Sequence, residues 1–317
     1  MTRISLILAI SALAACGATE GDRRAAPVMS TTTTSSSSVI AEFPVTVSAA
    51  NGEVTVDQAP QRIVSLAPTA TEVLFAIGAG DQVAAVDEFS TYPAEAPITD
   101  LSGFEPNVEA VAAYEPDLVV VSDDLNDVVS GLQTVEIPVV HLPAAIDLDD
   151  TYSQIEVLGA ITGNLGSAAE LVSSMQTDIE ELAGSVSDPT EPLTYYHELD
   201  SSLFTVTSAT FIGQIYQLAG LGNIADQAGG ADTGYPQLSA EYIVQADPDL
   251  IFLADTKCCG ESAETIAARP GWDQLTAVTA KRVVELDDDI ASRWGPRVVD
   301  LLETIVRAVE RVEVEAP

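Results

Sequence analysis

The 317-residue chain reads as an α/β protein of two similar lobes with parallel sheets, joined by a long rigid helix, with a ligand cleft between the lobes. Three observations carry this expectation. First, residues 108–121 return as residues 240–253, and Glu109 to Glu241 and Pro116 to Pro248 are both separated by 132 positions. Second, each copy has the form of a short helix, an acidic-Pro-Asp turn and an apolar run. The proline lacks an N–H and pushes its predecessor towards extended geometry, so it stops the helix. The apolar run that follows suits a strand covered on both faces in a parallel sheet. Third, Ile155, Leu158, Ile161, Leu165, Leu171, Met175, Ile179 and Leu182 recur at mostly three- and four-residue steps, as on helices with one apolar face. Two lobes imply a cleft, and clefts between domains are where small ligands bind.

The first lobe is expected over residues 46–148. Its strands are Arg62-Ile63-Val64-Ser65-Leu66, residues 83–86, residues 118–121 and the run from Ile137 to Leu142. Thr69 or Thr71 is positioned to cap a helix through Phe75 and Ile77, ended by Gly78-Ala79-Gly80. Residues 149–185 form the helical connector, with Gly163 and Gly166 breaking it into two helices. The second lobe covers residues 186–317, with strands at 193–199, 250–253 and 283–286 and a closing amphipathic helix at 301–312. Residues 207–220 loosely echo residues 69–78, which extends the duplication beyond one motif.

The first 45 residues do not look like part of the body. Residues 1–15 read as a signal segment: Arg3 is a minimal positive start, and residues 4–15 are apolar but too short for a stable transmembrane helix. Leu13-Ala14-Ala15-Cys16 resembles the bacterial lipobox, which makes Cys16 the expected site of lipidation. Residues 16–45 form a tether, because the Ser/Thr run from Ser30 to Ser38 has no apolar side chain with which to build a core. The body is then held at the outer face of a membrane.

Charge narrows the partners. The chain has 12 Lys and Arg against 49 Asp and Glu, a formal charge of −37. Nucleic acid, whose binding depends on neutralising phosphates with cations, is excluded as a partner. The negative field favours a neutral or cationic ligand slightly. With Cys16 assigned to lipid, Cys258 and Cys259 remain. As neighbours they form either a vicinal disulfide or two free thiols, and alone they cannot supply the four ligands of structural zinc.

The run Arg62-Ile63-Val64-Ser65-Leu66-Ala67-Pro68-Thr69-Ala70-Thr71-Glu72, the Tyr92-Pro93 pair, Asn107-Val108-Glu109 and the two acidic-Pro-Asp-Leu turns resemble the Fe/B12-type, or class III, periplasmic substrate-binding proteins of ABC importers. The resemblance spans about residues 61–312. It implies two lobes bridged by a helix, a metal chelate (corrinoid or ferric siderophore) held between them, and delivery to an ABC permease and its ATPase. It also implies that Glu109 and Glu241, one acidic residue per lobe, pair with arginines of the permease. Loops at strand ends would present Phe89, Phe104, Tyr235 and Trp294 to the ligand, since aromatic rings give wide contact at small entropic cost. Arg293 and Arg297, four apart beside Trp294, are candidates to hold an anionic edge. Their competing role is partnership with Asp287, Asp288 or Asp289.

Other classes fare worse. The chain has neither a Walker A loop nor a Gly-x-Ser-x-Gly elbow, and Gly78-Ala79-Gly80 ends a helix rather than opening one. No catalytic residue and no resident cofactor is expected. His141 and His197 are too few for a convincing bare-metal site, although His197 beside Tyr195 and Tyr196 is placed to touch a chelated iron. Haem or bare-metal binding remains an alternative within the same class, and a surface adhesin without a transport role is the alternative outside it.

Overall fold

The structure, a computed structural model, describes residues 42–186 and 192–315. Cys16 and the Ser/Thr tether lie outside the described residues. The described residues open with an antiparallel hairpin of β1 (Val45–Ala49) and β2 (Gly52–Val56), which the sequence did not lead us to expect. It docks beside the first lobe's sheet, where the Ala50 N–H donates to the His141 carbonyl at 3.0 Å and the Asn51 amide to the Val139 carbonyl at 2.9 Å.

The first lobe's sheet contains β3 (Ile63–Leu66), β4 (Val83–Val86), β5 (Leu118–Val121) and β6 (Val139–His141), all parallel, in the order β4-β3-β5-β6. The second contains β7 (Thr194–Glu198), β8 (Gly222–Asn223), β9 (Leu250–Leu253) and β10 (Val283–Glu285), also parallel. Its order is β10-β9-β7-β8, which retraces the first sheet's path. Every residue of β3, β5 and β9 is buried, as central strands covered on both faces require.

The repeat persists at the level of single atoms. Ile63 pairs with Leu118, and Tyr195 pairs with Leu250. Asn107 and Ser239 cap the repeated helices, each accepting from the backbone N–H three residues on. Glu115 and Asp247, immediately before each proline, both adopt left-handed backbone, with φ of 50° and 45°. The aspartate after each proline then ties its strand to the neighbour: Asp117 accepts from the Arg62 N–H at 2.9 Å, and Asp249 from the Thr194 N–H at 2.8 Å. The Pro-Asp pair is thus a device for ending a helix and fixing the start of two adjacent strands.

Between the sheets run the helices Leu148–Thr162 and Leu165–Ser185. Asp147 caps the first by accepting from the Asp150 N–H at 2.9 Å. Gly163, with φ of 82°, makes the break alone; Gly166 lies inside the second helix and breaks nothing. At Gly159 a Cβ would collide with that of Ala168, so glycine permits the two helices to pack closely. The buried stripe Ala168, Val172, Met175 and Ile179 on the second helix joins the main core, together with the closing helix Val298–Glu315. Among the described residues no helix is long and apolar enough to cross a membrane.

One expected cap is corrected. The helix Pro68–Ala76 starts from Ala67, with Pro68 in its first turn, where a missing N–H costs nothing. The Thr71 hydroxyl is instead engaged with Ser65 and Ser90, both at 2.9 Å.

Candidate functional site: a cavity between the lobes

That hydroxyl chain shapes the first wall of the site. Ser65 ends near the carboxyl edge of β3; Thr71 links it to Ser90, and Ser90 donates to Asp87 at 2.5 Å. All four side chains are buried, so the loop carrying Phe89 is fixed to the sheet by satisfied polar groups. Burial pushes the Asp87 carboxyl up from its usual range, against the lowering effect of the Ser90 hydroxyl. Gly103 allows a second loop to approach: a Cβ there would lie 2.8 Å from both the Asp87 carboxylate and the Leu66 carbonyl. The close approach brings Phe104 edge-on to Phe89, with centroids 5.2 Å apart and planes at 81°. Both rings stay exposed, at 45% for Phe89 and 64% for Phe104.

The second wall comes from the segment after β10. Trp294 faces the same space, and its indole N–H donates to Gln154 of the connector at 3.1 Å. Together the walls enclose a cavity of about 440 Å3. It is bordered by Phe89, Phe104 and Trp294, by Ser122 and Asp123 after β5, and by Asp288, Asp289 and Arg293. The first-lobe side lies beyond the carboxyl ends of β3 and β5, where the sheet reverses its winding, which is the usual ligand position in open α/β sheets.

The structure brings Phe89, Phe104, Trp294 and Arg293 together at this cavity. Tyr235 is half exposed on the second lobe and is not among the lining residues. Arg297 is also absent from the lining. Its Nε donates to Glu72 at 2.9 Å, and its guanidinium lies 4.2 Å from the centre of the Tyr92 ring. Arg293 donates to the same Glu72 at 2.7 Å, to Asp289 at 2.8 Å and to the Phe89 carbonyl at 2.8 Å. Glu72 is buried, so two arginines of the second lobe clamp one carboxylate of the first. Both arginines are thus engaged across the lobes by Glu72, the partner that sequence reasoning missed. Of the aspartates expected as partners, Asp289 pairs with Arg293, and the others are held by different groups. Lys257 bridges Asp287 and Asp289, while Asp288 accepts from the backbone N–H groups of Thr256, Lys257 and Cys258. That last interaction anchors the turn in which Cys258 and Cys259 are joined as a disulfide.

His197 does not face a ligand. It is fully buried, its Nδ1 lies 2.8 Å from the Tyr216 hydroxyl, and burial pushes its pKa down to about 3. It is a neutral core residue, which removes it as a contact for chelated iron. Glu109 and Glu241 are both exposed in the first turns of their helices, where a carboxylate also complements the helix dipole.

Two parallel-sheet lobes of one topology, bridged by helices and with a cavity between them, have the architecture of extracytoplasmic solute-binding proteins. Residues 63–290 match the periplasmic binding protein family, and the chain belongs to it. An uncharacterized ABC transporter substrate-binding lipoprotein of Bacillus subtilis, YvrC, is 31% identical over 316 residues, covering 96% of this chain and 95% of that protein. A cobalamin-binding protein of Halobacterium salinarum is 32% identical over 276 residues, covering 84% of this chain and 74% of that protein. Among solved structures, a possible iron-binding periplasmic solute-binding protein of Staphylococcus epidermidis superposes with a TM-score of 0.69 at 25% identity, covering 80% of this chain and 99% of that one. The chain is a substrate-binding protein of an ABC transporter.

Proposed function

We propose that this protein is a lipid-anchored receptor that captures a corrinoid in the interlobe cavity and presents it, chemically unchanged, to an ABC permease. The observation that carries the choice of ligand is the charge around the cavity. Arg293 is the cation of the lining, and it is already committed to Glu72 and Asp289. Facing the same space are Asp87, Asp123, Asp288 and Asp289. An anionic chelate, such as haem with its propionates or a carboxylate siderophore, would enter a negative field without an uncommitted cation among those lining residues. A corrinoid is flat and apolar on its faces and carries primary amides around its edge. The faces suit Phe89, Phe104 and Trp294, and the amides can donate to Asp123, which is exposed. Similarity to the cobalamin-binding protein of Halobacterium salinarum supports the same reading. An uncharged hydroxamate siderophore satisfies the charge argument as well, and it is the second reading.

Attachment through Cys16 rests on the lipobox, and docking through Glu109 and Glu241 rests on their register and exposure. Cys16→Ser should release the protein from the membrane fraction or leave its precursor uncut. Native mass spectrometry after incubation with an equimolar mixture of cyanocobalamin, haem, a ferric hydroxamate and a ferric catecholate tests the ligand. Retention of the corrinoid supports the proposal; retention of haem or the catecholate in its place rejects it, and retention of the hydroxamate selects the second reading.

A further inference from the structure

The carboxyl ends of β7 and β9 form the second lobe's counterpart of the β3/β5 crevice that borders the ligand cavity. None of the ligand-cavity lining comes from this second crevice. It instead gathers Glu198, the last residue of β7, with Asp255 just beyond β9 and Glu261 from the loop that follows. One carboxylate oxygen from each lies within 4.8 Å of the others. Oxygens about 2.4 Å from a common Ca²⁺ can be separated by roughly that much.

A gathering of acids is common in so acidic a chain, and the fate of Asp255 is what sets this one apart. The residue is fully buried, and neither carboxylate oxygen has a hydrogen-bond partner. Its neighbours are well served. Glu198 receives a two-pronged contact from Arg269, at 2.6 Å on each oxygen, and also accepts from the Tyr196 hydroxyl at 3.2 Å. Glu261 uses Oε2 for Arg269 at 3.0 Å and for Thr265 at 2.6 Å. Three carboxylates against one guanidinium leave two negative charges, and a buried ionised carboxylate without a partner is strongly unfavourable. A single proton would neutralise one carboxylate and leave the other two competing for Arg269. A divalent ion satisfies the whole group.

We propose that Glu198, Asp255 and Glu261 form a binding site for a hard divalent cation of the Ca²⁺ class, separate from the ligand cavity. Oxygen donors without histidine or thiolate select Ca²⁺ over softer transition metals. The ion would fasten the end of β7 to the turn that carries the Cys258–Cys259 disulfide, with Asp255 as its principal ligand.

Terbium luminescence tests the site, because Tb³⁺ replaces Ca²⁺ and is excited by nearby aromatic rings. Tyr196 touches Glu198, and Trp272 lies 6.1 Å from the Tyr196 ring. Work in high salt suppresses loose association with the acidic surface. The native protein should show one saturable equivalent of sensitised emission, reversed by Ca²⁺. Asp255→Asn and Glu261→Gln should each weaken it at least about ten-fold. Asp273→Asn, at an exposed carboxylate beside Trp272, should leave it unchanged. Equal titrations in native, Asp255→Asn and Glu261→Gln proteins would overturn the site. So would a rise in melting temperature on Asp255→Asn combined with no effect of Ca²⁺ on the native protein, since that pattern marks a shared proton. If Asp255→Asn fails to fold, Glu261→Gln decides, because Glu261 is partly exposed in a loop.

Discussion

Phe104 borders the cavity and Glu72 fastens the lobes behind it, so their removal should have opposite consequences. Phe104 is exposed, is held beside Phe89 and makes little contribution to the core. Its truncation to alanine should cost binding about 1–2 kcal/mol, or roughly ten-fold in the dissociation constant, with the melting temperature unchanged. Calorimetric titration of that variant checks it; unaltered affinity would remove Phe104 from the site. Trp294 is a poorer probe, because its indole also bonds to Gln154 and packs against the main core. Glu72→Ala should do the reverse. It leaves Arg293 and Arg297 without their shared, buried partner and should lower unfolding free energy by about 3–5 kcal/mol in urea denaturation. A loss below about 1 kcal/mol would show that the clamp is not structural. Phe89, Phe104 and Trp294 could be placed near the cavity from the sequence because loops beside proline and glycine announce themselves locally, whereas Tyr235, chosen on the same ground, does not line it. The clamp was not legible there, because Glu72 and Arg293 are 221 positions apart and acidic residues are too numerous to single one out.

At the scale of elements, the repeated unit was the most readable part of the chain. Its cap, helix stop and strand tie are each set by residues within a few positions, so the pattern survives in the sequence. The hairpin of β1 and β2 escaped notice because its strands bury few residues and rest against the first lobe rather than on a core of their own. The two-residue β8 is too short to leave a period at all. The helices bearing Glu109 and Glu241 make a prediction of their own. Changing both glutamates to glutamine should reduce permease-dependent uptake by at least about ten-fold while leaving ligand affinity in solution unchanged, because rim charges steer and orient partners. Uptake by the double variant equal to native would dissociate the repeat from docking, and a parallel loss of ligand affinity would place the glutamates in the wrong role.

The whole molecule is two copies of one sheet path around a cavity, fastened by packed helices and by an ion clamp across the lobes. This construction favours a preformed site with restricted lobe movement over a wide hinge. The general design was visible in the 132-position repeat, whereas the engagement of the cleft arginines was not, because it depends on folded contacts with Glu72 across the lobes. The account stands on a neutral, flat chelate entering that cavity and leaving it intact. Calorimetric titration of the purified protein with cyanocobalamin, followed by chromatographic recovery of the ligand, tests this most directly. The account predicts one-to-one binding that depends on Phe89 and Phe104, tolerates high salt, and returns unaltered cyanocobalamin. No measurable binding, binding indifferent to both rings, or recovery of a chemically altered corrinoid would contradict it.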